Sequence, residues 1–262
     1  MHSEQEKSSS FLKLLDVLDT LRLKCPWDAK QTNESLRPNT IEEVYELSDA
    51  LLSNDNEALK KELGDVLLHI AFYSKIASEK GLFDIADVCD ALTEKLIFRH
   101  PHIYGNIEAD TPEKVSKNWE EIKLKEKGGN KTVLAGVPAG LPSLIKASRI
   151  QEKAANVGFD WEKREDVWQK VKEELSEVEQ EILSGNQKDL EEEFGDLLFA
   201  VVNAARLYGV NPDTALERTN KKFISRFNHI EKRTREQGKN LKDLSLAQMD
   251  ELWNEAKGLE TN

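Results

Sequence analysis

Cysteine is scarce: Cys25 and Cys89 are the only two in 262 residues, and they make neither a disulfide framework nor a metal-ligand spacing. A reducing, cytoplasmic setting suits such a chain best. Basic charge is also short, with 37 Lys and Arg against 49 Asp and Glu, and the resulting net charge of −12 argues against a nucleic-acid surface. Long apolar runs are missing. The longest, Leu197–Ala205, cannot span a bilayer, and the opening MHSEQEKSSS has no apolar core for a signal peptide, so no membrane role is indicated. No stretch alternates in the manner of a strand. What remains is a chain rich enough in Leu, Ile, Val, Phe and Trp to fold, and long enough for one large or two modest domains.

The most informative stretch is Lys170–Asp196, KVKEELSEVEQEILSGNQKDLEEEFGD. It reads as two amphipathic helices joined by a tight turn at Ser184–Asn186. Glu174 and Glu177 lie three apart on the first helix and so share a face; Glu193 and Asp196 do the same on the second. Both the 177/193 pair and the 174/196 pair are centred on residue 185, a glycine, which is the residue a helix hairpin needs at its turn. An antiparallel hairpin folded there brings four acidic side chains to one place. Two carboxylates about 5 Å apart repel by roughly 3 kcal/mol at an effective dielectric of about 20. Such a cluster calls for a cation, and hard oxygen ligands on facing helices suit Mg²⁺ or Mn²⁺. A solvated face of a charged helix is the plain alternative for any single E-x-x-E.

Duplication weakens that alternative. Glu43, Glu46, Glu62 and Asp65 precede Glu174, Glu177, Glu193 and Asp196 by a constant 131 residues. The earlier hairpin is centred on Asn54, another turn residue, and its helices are expected near Thr40–Leu52 and Glu57–Lys80. Gly64 and Gly195 lie inside the second helix of each copy, at a cost of about 1 kcal/mol against Ala, which suggests close approach of a backbone or ligand.

Taken in order, residues 1–9 read as a frayed tail and Phe11–Leu23 as the first packed helix, stopped by Pro26. Helices follow over Asp84–Phe98, over Pro112–Lys127 with Trp119, over Ser143–Asn156 and over Asn211–Gly238, and Ser245–Gly258 closes the chain. His100 and His102 flank a proline and read as turn residues, and His69 as a packed or capping histidine. Gly- and Pro-rich residues 128–142 form a linker between an N-terminal domain, 10–127, and a C-terminal domain, 143–260. The whole is all-α, two related helical bundles.

Several motifs are specific in combination: CPWD-x-x-QT at Cys25–Thr32, the E-E-x-x-E…E-x-x-D pairs, FRHPH at Phe98–His102, VGFDW at Val157–Trp161, LEEE-x-GDLLF at Leu190–Phe199 and KF-x-x-RF at Lys222–Phe227. From about Phe11 to Lys257 the chain closely resembles the tandem-domain MazG nucleoside triphosphate pyrophosphohydrolases. That resemblance implies an all-α fold, usually a homodimer, and Mg²⁺-dependent hydrolysis of an NTP to the NMP and pyrophosphate. It implies Glu174, Glu177, Glu193 and Asp196 as metal ligands. Lys170, Lys222 and Arg226 would hold the triphosphate, Glu173, Glu191 and Glu192 would line the site, and Trp253 would contact the nucleotide. Either Glu173 or Glu192 is a candidate proton acceptor.

The N-terminal copy keeps its core acids but has Asn39 and Lys61 where the C-terminal copy has Lys170 and Glu192. A lysine beside the acids partly replaces a metal ion, so this domain is expected to be weakly active or structural. A di-iron carboxylate bundle needs E-x-x-H pairs, and no histidine here has Glu three positions before it. A non-catalytic, NTP-sensing or scaffolding helical dimer is the competing function.

Overall fold

The computed structural model describes residues 1–53, 55–105, 111, 122 and 131–259. Among these residues there are α-helices and short 3₁₀ turns but no strand. The chain forms two compact units, Met1–Glu108 and Ala109–Asn262. The helix expected over Pro112–Lys127, with Trp119, and the turn residue Asn54 lie outside the described residues.

In the first unit, α1 (Glu4–Lys24) packs on α3 (Asn56–Glu79), which pairs with α2 (Asn33–Ser53) and meets α4 (Ile85–Arg99); the single turn α5 (Pro101–Tyr104) follows α4 and contacts it. Two sequence expectations need correction here. Residues 4–9 are helical: Ser3 and Glu6 form a capping box that starts α1 inside the expected tail. The helix α2 begins at Asn33 and carries Pro38 within it. Thr32 and Ser35 exchange hydrogen bonds of 2.9 and 3.2 Å that satisfy the helix entrance. Leu36, 2 % exposed, anchors that turn in the core with Leu18, Ala71, Phe72 and Ile76. Burial and capping together outweigh the roughly 3 kcal/mol that an internal proline costs.

The second unit contains α6 (Ser143–Asn156), α7 (Val167–Ser184), α8 (Gln187–Leu207), α9 (Pro212–Glu236) and α10 (Leu246–Leu259). The helices α7 and α8 form the expected antiparallel hairpin, turned at Gly185 with φ +74°, and Asn186 caps α8 through a 3.2 Å bond from the Lys188 N–H. The helix α6 packs on α8 and α9, and α9 packs on α10. Val167, Val178, Ala200, Val202, Ala204, Ile230, Leu252 and Ala256 are buried between these helices. The small residues on α8 let α6 approach closely. Each unit therefore presents one helical hairpin, and each hairpin carries one set of acids.

The mid-helix glycines do not mark a close approach of protein backbone. A Cβ at Gly64 or Gly195 would meet no atom within 4 Å, so neither position is forced by packing.

Candidate active site

The hairpin of α7 and α8 sets its acids by helical periodicity and register alone. Glu174, Glu193 and Asp196 each offer a carboxylate oxygen within 4.8 Å of the others, and Glu173, Glu174 and Glu177 form a second such group. Glu174 belongs to both and is only 5 % exposed. Lys170, one turn before it, places its ammonium 2.7 Å from Glu173 and 2.5 Å from Glu174. Hydrogen bonds that Lys170 donates to Glu173 and Glu174 raise its pKa well above the ordinary lysine value. Desolvation, then the charges of Glu174 and Glu193, push the Glu177 carboxyl up; desolvation, then Asp196 and Glu174, do the same to Glu193. The site is thus an anionic cluster with one built-in cation and an unspent appetite for more positive charge.

Glu191 and Glu192 lie on the exposed side of α8, with Glu192 3.6 Å from Lys188. Lys222 is exposed on α9, and Arg226 lies over the Trp253 ring at 5.2 Å, with Phe223 tilted against the same indole at 5.1 Å.

A cleft of about 840 Å³ opens beside the acids. Lys170, Glu174 and Asp196 line one part of it; Phe159, Trp161, Phe199 and Ala200 line much of the rest; Lys222, Arg226 and Trp253 do not line it. Sequence reading did not identify its polar wall. Asp160 grips Arg206 through bonds of 3.0 and 2.5 Å, and Arg206 in turn donates to Asn203 Oδ1 at 3.0 and 2.8 Å. Burial pushes the Asp160 carboxyl up, but the Arg206 hydrogen bonds, the Trp161 N–H and the guanidinium charge outweigh it and hold the group below its usual range. Gln151, 6 % exposed on α6, donates to the Phe199 carbonyl at 2.8 Å and leaves Oε1 buried without a partner. Gln151 on α6 lies 48 to 55 positions before Phe199, Asn203 and Arg206 on α8, and the loop residue Asp160 lies 46 positions before Arg206. The VGFDW motif at Val157–Trp161 marked Asp160 in the sequence without giving it a role; Gln151, Asn203 and Arg206 carried no such signal.

The first unit gathers Glu43, Glu62 and Asp65 within 4.8 Å of one another. Glu46 is outside that triad, though its charge, after desolvation and the charge of Asp65, helps raise the Glu43 pKa. Lys61 bridges Glu62 at 2.9 Å and Asp65 at 3.6 Å, and the Glu62 hydrogen bond raises its pKa. Behind the acids, Thr40 Oγ1 contacts His69 Nδ1 at 2.9 Å and Tyr73 Oη at 2.6 Å, so His69 is the packed histidine the sequence suggested.

The model of the MazG nucleotide pyrophosphohydrolase domain matches the sequence twice, over residues 31–104 and 162–231. The chain belongs to the MazG family. Each matched stretch holds one acidic hairpin, so the two-fold pattern in the sequence is a tandem MazG repeat; Trp253 and the cleft residues Gln151, Phe159, Asp160 and Trp161 fall outside the second match. The chain is 44 % identical over 257 residues to a Thermotoga maritima protein named nucleoside triphosphate pyrophosphohydrolase/pyrophosphatase MazG, covering 97 % of this chain and 98 % of that one. It is 40 % identical over 252 residues to an Escherichia coli K12 nucleoside triphosphate pyrophosphohydrolase, covering 94 % and 96 %. It is also 46 % identical over 238 residues to the Bacillus subtilis protein YabN, covering 90 % of this chain and 49 % of that one.

Proposed function

We propose that the C-terminal MazG repeat hydrolyses nucleoside triphosphates to the nucleoside monophosphate and pyrophosphate, with Mg²⁺ or Mn²⁺ as cofactor. The observation that carries this reading is Glu174: nearly buried, shared by two carboxylate groups, and bordering a cleft large enough for a nucleotide. The names and near-complete coverage of the T. maritima and E. coli relatives support the same reaction.

The donor set fits a hard divalent ion. It consists of two carboxylate groups joined at Glu174, one with Glu193 and Asp196 and one with Glu173 and Glu177, in a site where desolvation and then neighbouring acids push the Glu177 and Glu193 carboxyls up. Glu174, Glu177, Glu193 and Asp196 would hold it. When bound, such an ion lowers the pKa of a coordinated water and neutralises phosphate oxygens. Lys170, Lys222 and Arg226 offset the remaining charge of a triphosphate, which carries about four negative charges. Lys170 is already at the acids; Lys222 and Arg226, one turn apart on α9, complete the set. Water attacks the α-phosphorus in line, the bond to the β-phosphate bridging oxygen breaks, and pyrophosphate leaves. Glu173 is better placed than Glu192 to take the proton from that water, since it belongs to a group with Glu174 and Glu177 and Glu192 does not. Glu191 contributes field rather than contact.

The N-terminal repeat is the weaker or structural partner, with Lys61 already seated between Glu62 and Asp65. The chain acts in the cytoplasm as a homodimer; Leu175, Ile182, Leu183, Phe194 and Leu198 leave the α7–α8 hairpin with an exposed apolar surface suited to a second copy. No helix among the described residues is long and apolar enough to cross a membrane.

Purified protein incubated with NTP and Mg²⁺ should release NMP and pyrophosphate and stop on addition of chelator. NDP plus phosphate would mean a different bond is cut. Nucleotide bound without turnover would favour the sensing or scaffolding alternative.

A further inference from the structure

An antiparallel helix hairpin is fixed at its turn and free to splay at its other end. In α7 and α8 the turn is at Gly185, and the acids lie between it and the open end, where α7 begins at Val167 and α8 stops at Leu207. We propose that Arg206 is a positioning residue: with Asp160 it ties the open end shut and so sets the separation across which the acids of the two helices share a cation. The inference rests on the cofactor and reaction assigned above, and adds a residue remote from the acids on which cation affinity depends.

Arg206 is one residue short of the end of α8, and Asp160 lies in the loop that leads into α7. The guanidinium donates to both oxygens of Asp160 at 3.0 and 2.5 Å and to Asn203 Oδ1 at 3.0 and 2.8 Å. With side chains 16 % and 28 % exposed, the pair is largely shielded from solvent, and a forked arginine contact fixes orientation as well as distance. Arg164 over the Tyr208 ring at 5.1 Å and Trp168 against it at 6.1 Å close the same end more loosely. Packing alone does not set the separation here, because the tie and the acids both line the cleft of about 840 Å³. Leverage makes the tie matter. Asp196 is 11 residues from Gly185 and Arg206 is 21, so the acids stand about halfway between the turn and the tie. Opening the tied end by about 1 Å then parts the acids by about 0.5 Å, more than the roughly 0.2 Å that metal–ligand distances tolerate.

The first unit makes the same connection from different residues. At the 131-residue offset Arg206 corresponds to Lys75 and Asp160 to Ala29, so the pair itself is not repeated, and Lys75 turns instead to Asp19 on α1 at 2.8 Å. Its part is taken by Arg22 on α1. That guanidinium donates to Glu79, the last residue of α3, at 3.0 and 2.9 Å, and to the carbonyl oxygen of Asp28 in the loop that leads into α2. In each unit, then, one arginine joins the loop entering the hairpin to the helix end leaving it. Inheritance of the tie from a common repeat does not account for this, since none of its residues correspond. A shared need to close the open end of an acid-bearing hairpin does.

The test is Mn²⁺ binding to the metal-free full chain, by calorimetry at a temperature where melting curves show every variant folded. Arg206→Gln breaks the tie. Asp160→Ala breaks it with the Arg206–Asn203 bonds left in place, and carries the comparison if Arg206→Gln does not fold. Each should weaken Mn²⁺ about tenfold, the lower end of what loss of a ligand's support costs. The double variant should lose no more than either single one, because the pair acts as a unit. Arg22→Gln, which opens the first unit instead, should leave Mn²⁺ affinity at the C-terminal acids within about twofold. Single variants that bind Mn²⁺ within about twofold of wild type, with only a lower Tm, would overturn the proposal, since the tie would then hold the fold and nothing more. Losses that multiply in the double variant, or an equal loss in Arg22→Gln, would overturn it too. Wild-type protein whose Mn²⁺ binding follows the expected pattern yet releases no NMP from NTP would instead refute the assigned reaction, a result distinct from these.

Discussion

Replacing Glu174 by Gln removes the one carboxylate common to both acidic groups while keeping the shape of a side chain that is 5 % exposed. In the metal-free protein the change should be nearly silent. Glu174 and Asp196 oxygens within 4.8 Å repel by about 3.5 kcal/mol at an effective dielectric of about 20, before solvent at exposed Asp196 screens them. The substitution relieves that repulsion and at the same time loses the attraction to Lys170, so the two effects oppose each other. With metal present they no longer cancel. An ion at one hundred times its Kd stabilises the fold by about 2.7 kcal/mol, or roughly 5–11 °C for a unit of this size. Loss of a shared ligand should weaken the ion about a hundredfold, leaving about 0.4 kcal/mol, or roughly 1–2 °C, at the same Mn²⁺ concentration. Pyrophosphate release should fall about 10²–10³-fold in kcat/KM, a change of about 2.7–4 kcal/mol in barrier. Thermal melts with and without Mn²⁺, paired with initial rates, measure both. A Glu174→Gln protein that keeps most of its Mn²⁺ stabilisation and activity would refute the reasoning.

The matching change in the other repeat, Glu62→Gln, should leave NTP turnover within about twofold, because Lys61 already neutralises that cluster; steady-state assay of the full chain decides it, and a large loss would make the N-terminal repeat catalytic. His69 is neutral in the fold because burial lowers its pKa, with Asp65 opposing more weakly. Its folded value therefore lies below the ordinary 6.5. As pH falls from about 6.5 through that lowered value the unfolded chain gains a proton the folded one does not, so stability is lost on acidification, and His69→Phe should flatten urea midpoints across that window. Gly185→Ala should cost about 1–2 kcal/mol through its left-handed backbone alone, since nothing lies within 4 Å of the new Cβ, and should lower Tm by roughly 2–8 °C.

The hairpin register was legible because helical spacing and a glycine turn are local, and the repeat at 131 residues checked the reading twice. The start of α2 was misplaced because Pro38 is a strong local signal that outweighed the local Thr32–Ser35 pair, while the burial of Leu36 that anchors the first turn is tertiary. The cleft was invisible for the same reason. Nothing in a linear reading links Asp160 to Arg206, or tells that Ala200 and Asn203 border a cleft. Acidic residues declare a site by pattern; an absence of bulk declares itself only in three dimensions.

Hydrolysis in ¹⁸O-labelled water bears most directly on the idea that the acids of α7 and α8 direct water to the α-phosphorus. The label should appear in the nucleoside monophosphate, with pyrophosphate unlabelled. Label in the pyrophosphate would place the attack at the β-phosphorus and contradict the account.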